Sequence, residues 1–239
     1  SIAAFCENSG GDIQEVANAI GSDKRIGSKF LNAGPGFGGS CFKKDISNLV
    51  YLSEYFGLPE VAEYWNSIIK LNNWQKLRIS KLIVQKLFGT LRGKSIAILG
   101  FAFKANTNDT RESAAISICK SLLEEGAYLN IHDPKVDLER IEEDLGLKSI
   151  KSEKNCVSSS RDGNWSFATD IYSAFYKADA ILIITEWDLY KSIDWEKTSK
   201  LMNHPGWVFD ARSITKKEKI LQSGLKCWRI GDGEITYNK

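Results

Sequence analysis

The spacing of apolar residues changes character once along the chain, near Gly93. Before that point apolar positions recur every three to four residues, the period of helices that bury one face. Residues 1–9 read as the end of a helix closed by Gly10-Gly11. Asp12 and Glu15 have capping-box spacing and open a second helix running through Ile20. Ile46, Leu49, Val50 and the stretch Leu52 to Phe56 place a third helix over 42–56, stopped by Gly57 and Pro59. Val61, Trp65, Ile68, Ile79, Leu82, Ile83 and Leu87 predict a single helix from Glu60 to Phe88, roughly 40 Å long at 1.5 Å per residue. A helix of that length with apolar residues on several faces joins domains or pairs with a second subunit.

After Gly93 short apolar runs alternate with amphipathic helices. IAIL in KSIAILGFAFK is a buried strand, SAAISICKSLLEEG a helix, and AYLNIHDP a second strand. Residues 135–168 form a polar excursion holding a short helix from Leu138 to Leu145 and loop chemistry at Ser158-Ser159-Ser160 and Asp162-Gly163-Asn164. Helix and strand then alternate: 171–177, 180–185, 195–202, 207–210, 216–223 and 226–230. The expected fold is α/β. A helical domain over 1–92, carrying the long helix, precedes a Rossmann-like, doubly wound sheet of five parallel strands over 93–239.

Composition narrows the functional classes. Hydrophobic residues make up 43% and charged residues 26% of 239 residues, as in a globular chain with a real core. A net charge of +2 gives no footprint for nucleic acid or an anionic membrane. No apolar run is long enough to cross a bilayer. Five cysteines, scattered and odd in number, argue against a disulfide framework or a zinc site, and for a reducing, cytoplasmic compartment. Two histidines without ligand spacing add no metal site. The chain opens at Ser1 in mid-helix pattern and its only methionine is Met202, so a C-terminal piece of a larger protein is expected.

The chemistry concentrates in GPGFGGSCFKKD, Gly34 to Asp45. Four glycines and a proline fill six residues, followed by Cys41, Lys43, Lys44 and Asp45 at a helix start. Glycine lets backbone approach a ligand closely, and a helix N-terminus favours an anion or a thiolate. Cys41 and Asp45, four apart, share one face. Two readings stand on residue types alone: a nucleophile beside a carboxylate, or a tight connection with a small core cysteine.

At the carboxyl rim of the sheet, Phe103 offers a stacking ring, and Lys104, Arg111 and Arg212 offer charge for a diphosphate, with a helix capped near Thr110. The same cations would equally serve as solvated loop charges. Asp133 at a strand end suits a ribose or a turn, and His132 beside it reads as structural. Gly34, Gly36 and Gly39 match G-x-G-x-x-G, but no buried strand precedes them, so the match is not read as a dinucleotide fingerprint.

FLNAGPGFGGSCFKKD, GFAFKANTNDTRES, EVAEYW, ITEWD and FDAR together resemble the nucleotide-sugar 6-dehydrogenases, and among them the UDP-glucose 6-dehydrogenases. The resemblance covers nearly the whole chain. It implies NAD-dependent oxidation of the C6 alcohol of UDP-glucose to the carboxylate of UDP-glucuronate. Cys41 would be the nucleophile of a thiohemiacetal and then a thioester, and Asp45 the carboxylate that positions water. It casts Lys44 and Arg111 as NAD contacts. Phe30, Asn32, Phe37 and the Gly38 backbone would grip the nucleotide sugar, Phe103, Lys104 and Arg212 the uridine and diphosphate. Arg25 would reach the site of a neighbouring subunit in a homo-oligomer.

Two departures stand out: Asn32 in place of a lysine of animal members, and Pro35 where several relatives have a serine and a valine. The family's NAD-binding domain, and a catalytic lysine and asparagine, would precede Ser1, so the piece alone is expected to be inactive. A sister specificity, for GDP-mannose or a UDP-N-acetylhexosamine, and a non-catalytic nucleotide-sugar-binding module are the alternatives.

Overall fold

A computed structural model describes residues 1–150 and 163–232. The serine run 158–160, Asp162 and Cys156 lie outside the described residues. Four helices come first: α1 (Ile2–Ser9), α2 (Ile13–Gly21), α3 (Phe42–Tyr55) and α4 (Pro59–Lys86). Gly10 ends α1 at φ 77°, and the Asp12 side chain caps α2 by accepting from the Gln14 N–H. Gly57, at φ 72°, turns the chain back so that α3 packs along α4, whose first residue is the N-terminal proline Pro59. The 28 residues of α4 match the long helix read from the pattern.

The second part runs β1 (Ser95–Leu99), α5 (Ala114–Glu124), β2 (Tyr128–His132), α6 (Leu138–Leu145), β3 (Asn164–Phe167), α7 (Ile171–Phe175), β4 (Ala180–Ile183), α8 (Asp188–Lys191), α9 (Trp195–Leu201), β5 (Trp207–Asp210), α10 (Lys217–Gln222) and β6 (Lys226–Arg229). The sheet is parallel throughout, in the order β3-β2-β1-β4-β5-β6. It is doubly wound, with six strands where five were expected. The extra strand, β3, lies at the edge beside β2. Its four residues, Asn164-Trp165-Ser166-Phe167, carry one fully buried side chain, Trp165, and so read as part of the polar stretch before it. The cap of α5 is Ser113, not Thr110: its hydroxyl accepts from the Ala115 N–H and donates to the Phe101 carbonyl.

β1 and β4, at the centre, are buried on both faces, which explains their unbroken apolar runs. Ile79, Ile83 and Leu87 at the end of α4 join the same core, and α4 packs on α5. One end of the long helix is therefore built into the sheet layer.

Asp133 organises the sheet's carboxyl rim. One carboxylate oxygen accepts from the Phe101 N–H (2.7 Å), the Ala102 N–H (3.0 Å) and the Trp187 indole (3.2 Å). The other accepts from the N–H groups of Lys135 (2.9 Å) and Val136 (3.0 Å). This carboxylate is committed to turns after β1, β2 and β4, the structural reading of a strand-end aspartate. His132 beside it is buried against Tyr190, and burial lowers its basicity. Asp133→Ala strands these donors, with an expected loss of about 3 kcal/mol or more. Urea unfolding measures it; a loss under about 1 kcal/mol would contradict the assignment.

Candidate functional site

The Gly-rich loop lies against the middle of α4. Asn72 makes two hydrogen bonds to Phe37, its Oδ1 accepting from the backbone N–H (2.9 Å) and its Nδ2 donating to the carbonyl (3.2 Å). Gln75 Nε2 donates to the Gly34 carbonyl at 3.0 Å. Asn72, Gln75 and Lys76 sit at i, i+3 and i+4, one helix face, and all are buried. Gly36 has φ 130°, and a β-carbon there would meet Asn72 Oδ1 at 2.8 Å and Lys76 Cγ at 3.1 Å. Glycine is required at this position for both conformation and space.

The opposite wall is the segment after β1, residues 100–113. Its Arg111 carbonyl accepts from the Gly39 N–H at 2.8 Å. A β-carbon on Gly38 would lie 2.6 Å from the Glu112 carbonyl oxygen. Glu112 itself has φ 56°, a left-handed conformation that is strained for a residue with a side chain. It is tied on two sides: its carboxylate pairs with Lys43 at 2.9 Å, and its carbonyl accepts from Lys76 Nζ at 3.2 Å. Burial pulls the Lys76 ammonium below its ordinary value, with Lys43 adding to the pull and Glu112 opposing it.

Between these walls emerges Cys41, exposed, at the N-cap of α3. Ser40 Oγ lies 3.5 Å from its sulfur. Asp45, one turn on, is exposed, and its N–H donates to the Cys41 carbonyl at 2.9 Å. Lys44 is exposed and holds no ion pair among the described residues. Phe37 packs edge-on against Phe42 with ring centroids 4.6 Å apart. Arg111 is clamped by Asp109, Nε to Oδ1 at 2.9 Å and Nη2 to Oδ2 at 2.7 Å. Asp109 raises its basicity, and the Cys41 sulfur lies near enough to act in the same direction.

Arg212 arrives from the loop after β5. Its Nε donates to the Ile184 carbonyl at 2.6 Å and its Nη2 to the Phe103 carbonyl at 3.2 Å, with Glu186 beside it at 3.0 Å. Burial lowers its basicity against the pull of Glu186 and Asp210. Its fork also reaches the loop: a β-carbon on Gly34 would lie 3.1 Å from Arg212 Nη1. Phe103 stands over Gly39, and Lys104 is exposed at the same rim, its ammonium 5.4 Å from the Phe103 ring centre.

Gly34, Phe37, Gly38 and Cys41 of the first part are thus brought together with Phe103, Arg111 and Arg212 of the second. Three other candidates stay at the surface. Arg25 is engaged with Asp23, while Phe30, 91% exposed, and Asn32 face solvent. The residues that sequence reasoning missed are the supports: Asn72, Gln75, Lys76, Glu112 and Glu186. A signal existed, because the apolar stripe of α4 skips from Ile68 to Ile79 and three polar side chains fill the gap. A separate cleft of about 380 Å³ lies on the outer side of Arg111, between residues 108–111 and Lys135 to Arg140; neither Cys41 nor Arg212 lines it.

Residues 97–217 match the family model described as the UDP binding domain of the UDP-glucose/GDP-mannose dehydrogenase family, and residues 1–74 match its central domain. The chain belongs to the UDP-glucose/GDP-mannose dehydrogenase family. Within this family it is similar to the UDP-glucose 6-dehydrogenase of Drosophila melanogaster, 48% identical over 97% of the chain and 48% of that protein. The enzyme of the same name from Gallus gallus is 50% identical over 90% of the chain and 42% of its own length. The chain therefore spans about half the length of the curated relatives it matches. Among solved structures, a UDP-glucose dehydrogenase from the hyperthermophilic archaeon Pyrobaculum islandicum superposes with a TM-score of 0.75 at 27% identity, covering 97% of the chain and 46% of that structure. For this UDP-glucose/GDP-mannose dehydrogenase family member, the match spans both the helical part and the sheet.

The exposure of Cys41 is checked directly. Cys6, Cys119 and Cys227 are buried, and burial pushes Cys119 far up and Cys227 up to about 12. Brief native alkylation followed by mass mapping is expected to modify Cys41 at least about tenfold faster than these three. Equal rates would remove it from the groove.

Proposed function

We propose that the protein carrying this chain is an NAD-dependent UDP-glucose 6-dehydrogenase, in which residues 1–92 supply the cysteine loop and the subunit contact and residues 93–239 the UDP contacts. The observation that carries the proposal is the exposed sulfur of Cys41 at a helix start, beside a groove where Phe103, Arg212 and bare glycine backbone converge. In the proposed mechanism Cys41 adds to the aldehyde of the half-oxidised sugar, and the product after oxidation is a thioester. Asp45, on the same helix face one turn on, positions the water that hydrolyses it. Arg212 and Lys104 offset the charge of the diphosphate, and Phe103 lies against the uridine. The names of the relatives bring UDP-glucose to this reading.

NAD would supply the hydride acceptor. Lys44, exposed and without an ion pair among the described residues, and Arg111, exposed and close to Cys41, have the charge and position to hold its phosphates. Phe30, Asn32 and Arg25, lying outside the groove, suit a site completed by a neighbouring subunit. The exposed apolar face of α3 and α4, which includes Tyr51, Tyr55, Phe56, Tyr64 and Trp74, supports a homo-oligomer. The four described cysteines are free, in keeping with a cytoplasmic setting. Among the described residues no helix is long and apolar enough to cross a membrane.

Cys41→Ser in the intact protein is expected to lower turnover by roughly a thousandfold or more while leaving UDP affinity intact. Retained turnover would remove Cys41 from the mechanism, and an intact wild type that binds UDP without turnover would favour a non-catalytic binding module. UDP competing better than GDP in the same assay separates this enzyme from a GDP-mannose sister. Sedimentation is expected to give at least a dimer, and Tyr55→Glu with Tyr64→Glu to weaken it; a monomeric wild type would refute the contact.

A further inference from the structure

Glu7 lies on α1, remote in sequence from Gly34 and Arg212, yet its carboxylate is tied to the Gly-rich loop and to the segment that holds the loop carrying Arg212. Oε2 pairs with Arg78 Nη1 at 2.6 Å, and Oε1 accepts from Arg78 Nη2 at 3.1 Å. Both side chains are largely buried, at 12% and 18% exposure. Arg78 Nε in turn donates to Gln75 Oε1 at 3.1 Å, and Gln75 Nε2 donates to the Gly34 carbonyl. That is the connection to the first wall, the Gly-rich loop.

The connection to the Arg212 loop runs through the same carboxylate. Glu7 Oε1 also accepts from the Gly231 N–H at 2.9 Å. Gly231 follows Ile230, whose carbonyl accepts from Ser213 Oγ at 2.9 Å, and Ser213 is the residue after Arg212. The contact is close, because a β-carbon on Gly231 would overlap Ile13, whose N–H donates to the Gly231 carbonyl at 3.0 Å. A charge-assisted bond costs more to break than a neutral one, and a buried carboxylate stripped of its arginine is costly in itself. Relative motion of the Gly-rich loop and the Arg212 loop would have to break one or the other.

We infer that Glu7 is a positioning residue that sets the separation of Gly34 from Arg212, and through it the grip of the groove on a nucleoside diphosphate. This rests on the reading of the groove as the UDP-sugar site. Glu7 touches no ligand. It acts by holding the arginine fork and the glycine backbone at one spacing.

The test is a thermodynamic cycle on UDP affinity in the intact protein, by titration calorimetry. Glu7→Gln keeps the shape and loses the charge. Gln75→Met removes both the bond to Gly34 and the acceptor of Arg78 Nε but leaves the Glu7–Arg78 ion pair in place, so it serves if Glu7→Gln does not fold. Each is expected to weaken UDP about tenfold. In an Arg212→Lys background, where the fork is already lost, the same changes are expected to cost less than about threefold. A merely structural role predicts losses that add in full, and full additivity, or wild-type affinity in both single variants, overturns the inference. A wild-type protein that fails to bind UDP sinks the reading of the groove and the inference together, whereas UDP bound equally by wild type and variants sinks the inference alone.

Discussion

The arrangement of the site depends on a glycine backbone that side chains and one carbonyl approach too closely for a β-carbon to stand between them. The Gly34–Gly39 segment is pressed between the polar turn of α4 and the segment after β1. All four of its glycines would place a β-carbon within 3.1 Å of a neighbouring atom. Such proximity lets main-chain and side-chain hydrogen bonds, rather than side-chain packing, hold the loop. Asn72 doubles up on Phe37, Gln75 takes Gly34, and the Arg111 carbonyl takes Gly39. Backbone groups in the groove are therefore aimed before any ligand arrives, and binding costs less ordering entropy.

A second layer of polar commitments keeps the rim in register with that loop. Asp133 collects the turns after β1, β2 and β4, and Asp210, fully buried at the end of β5, accepts from the Arg212 and Thr215 N–H groups and the Thr215 hydroxyl. Each carboxylate satisfies several donors that would otherwise be buried without partners. The side chains left for a ligand are those the rim does not consume. Phe103, Lys104 and the Nη1 of Arg212 are in that position, while Asp133, His132 and the other two nitrogens of Arg212 are not.

Much of this was legible in the residues. The central strands announce themselves because a strand buried on both faces must be apolar throughout, and the helices because one buried face leaves a period. The glycine cluster ahead of Cys41 was equally plain. What stayed hidden was set by tertiary partners. β3 is an edge strand with one anchoring side chain, too short to show a pattern. Ser113 outcompetes Thr110 as a cap because the Phe101 carbonyl sits where its hydroxyl can use it. The left-handed turn at Glu112 carries no mark in sequence, since it is maintained by Lys43, Lys76 and Gly38 from three other segments. The polar turn of α4 was visible as a break in its stripe, but its partners were not.

The long helix has a consequence for how the molecule comes apart. Its last turns are embedded with the sheet through Ile79, Ile83 and Leu87, while its middle carries the glycine loop through Asn72 and Gln75. A single stiff rod thus begins within the region matched by the central-domain model, residues 1–74, and ends in the core of the sheet layer. The sheet layer anchors the end of the rod that follows the loop-bearing turn, and α3 packs along the rod. The two regions share this helix, so the stability of each is coupled to that of the other through α4.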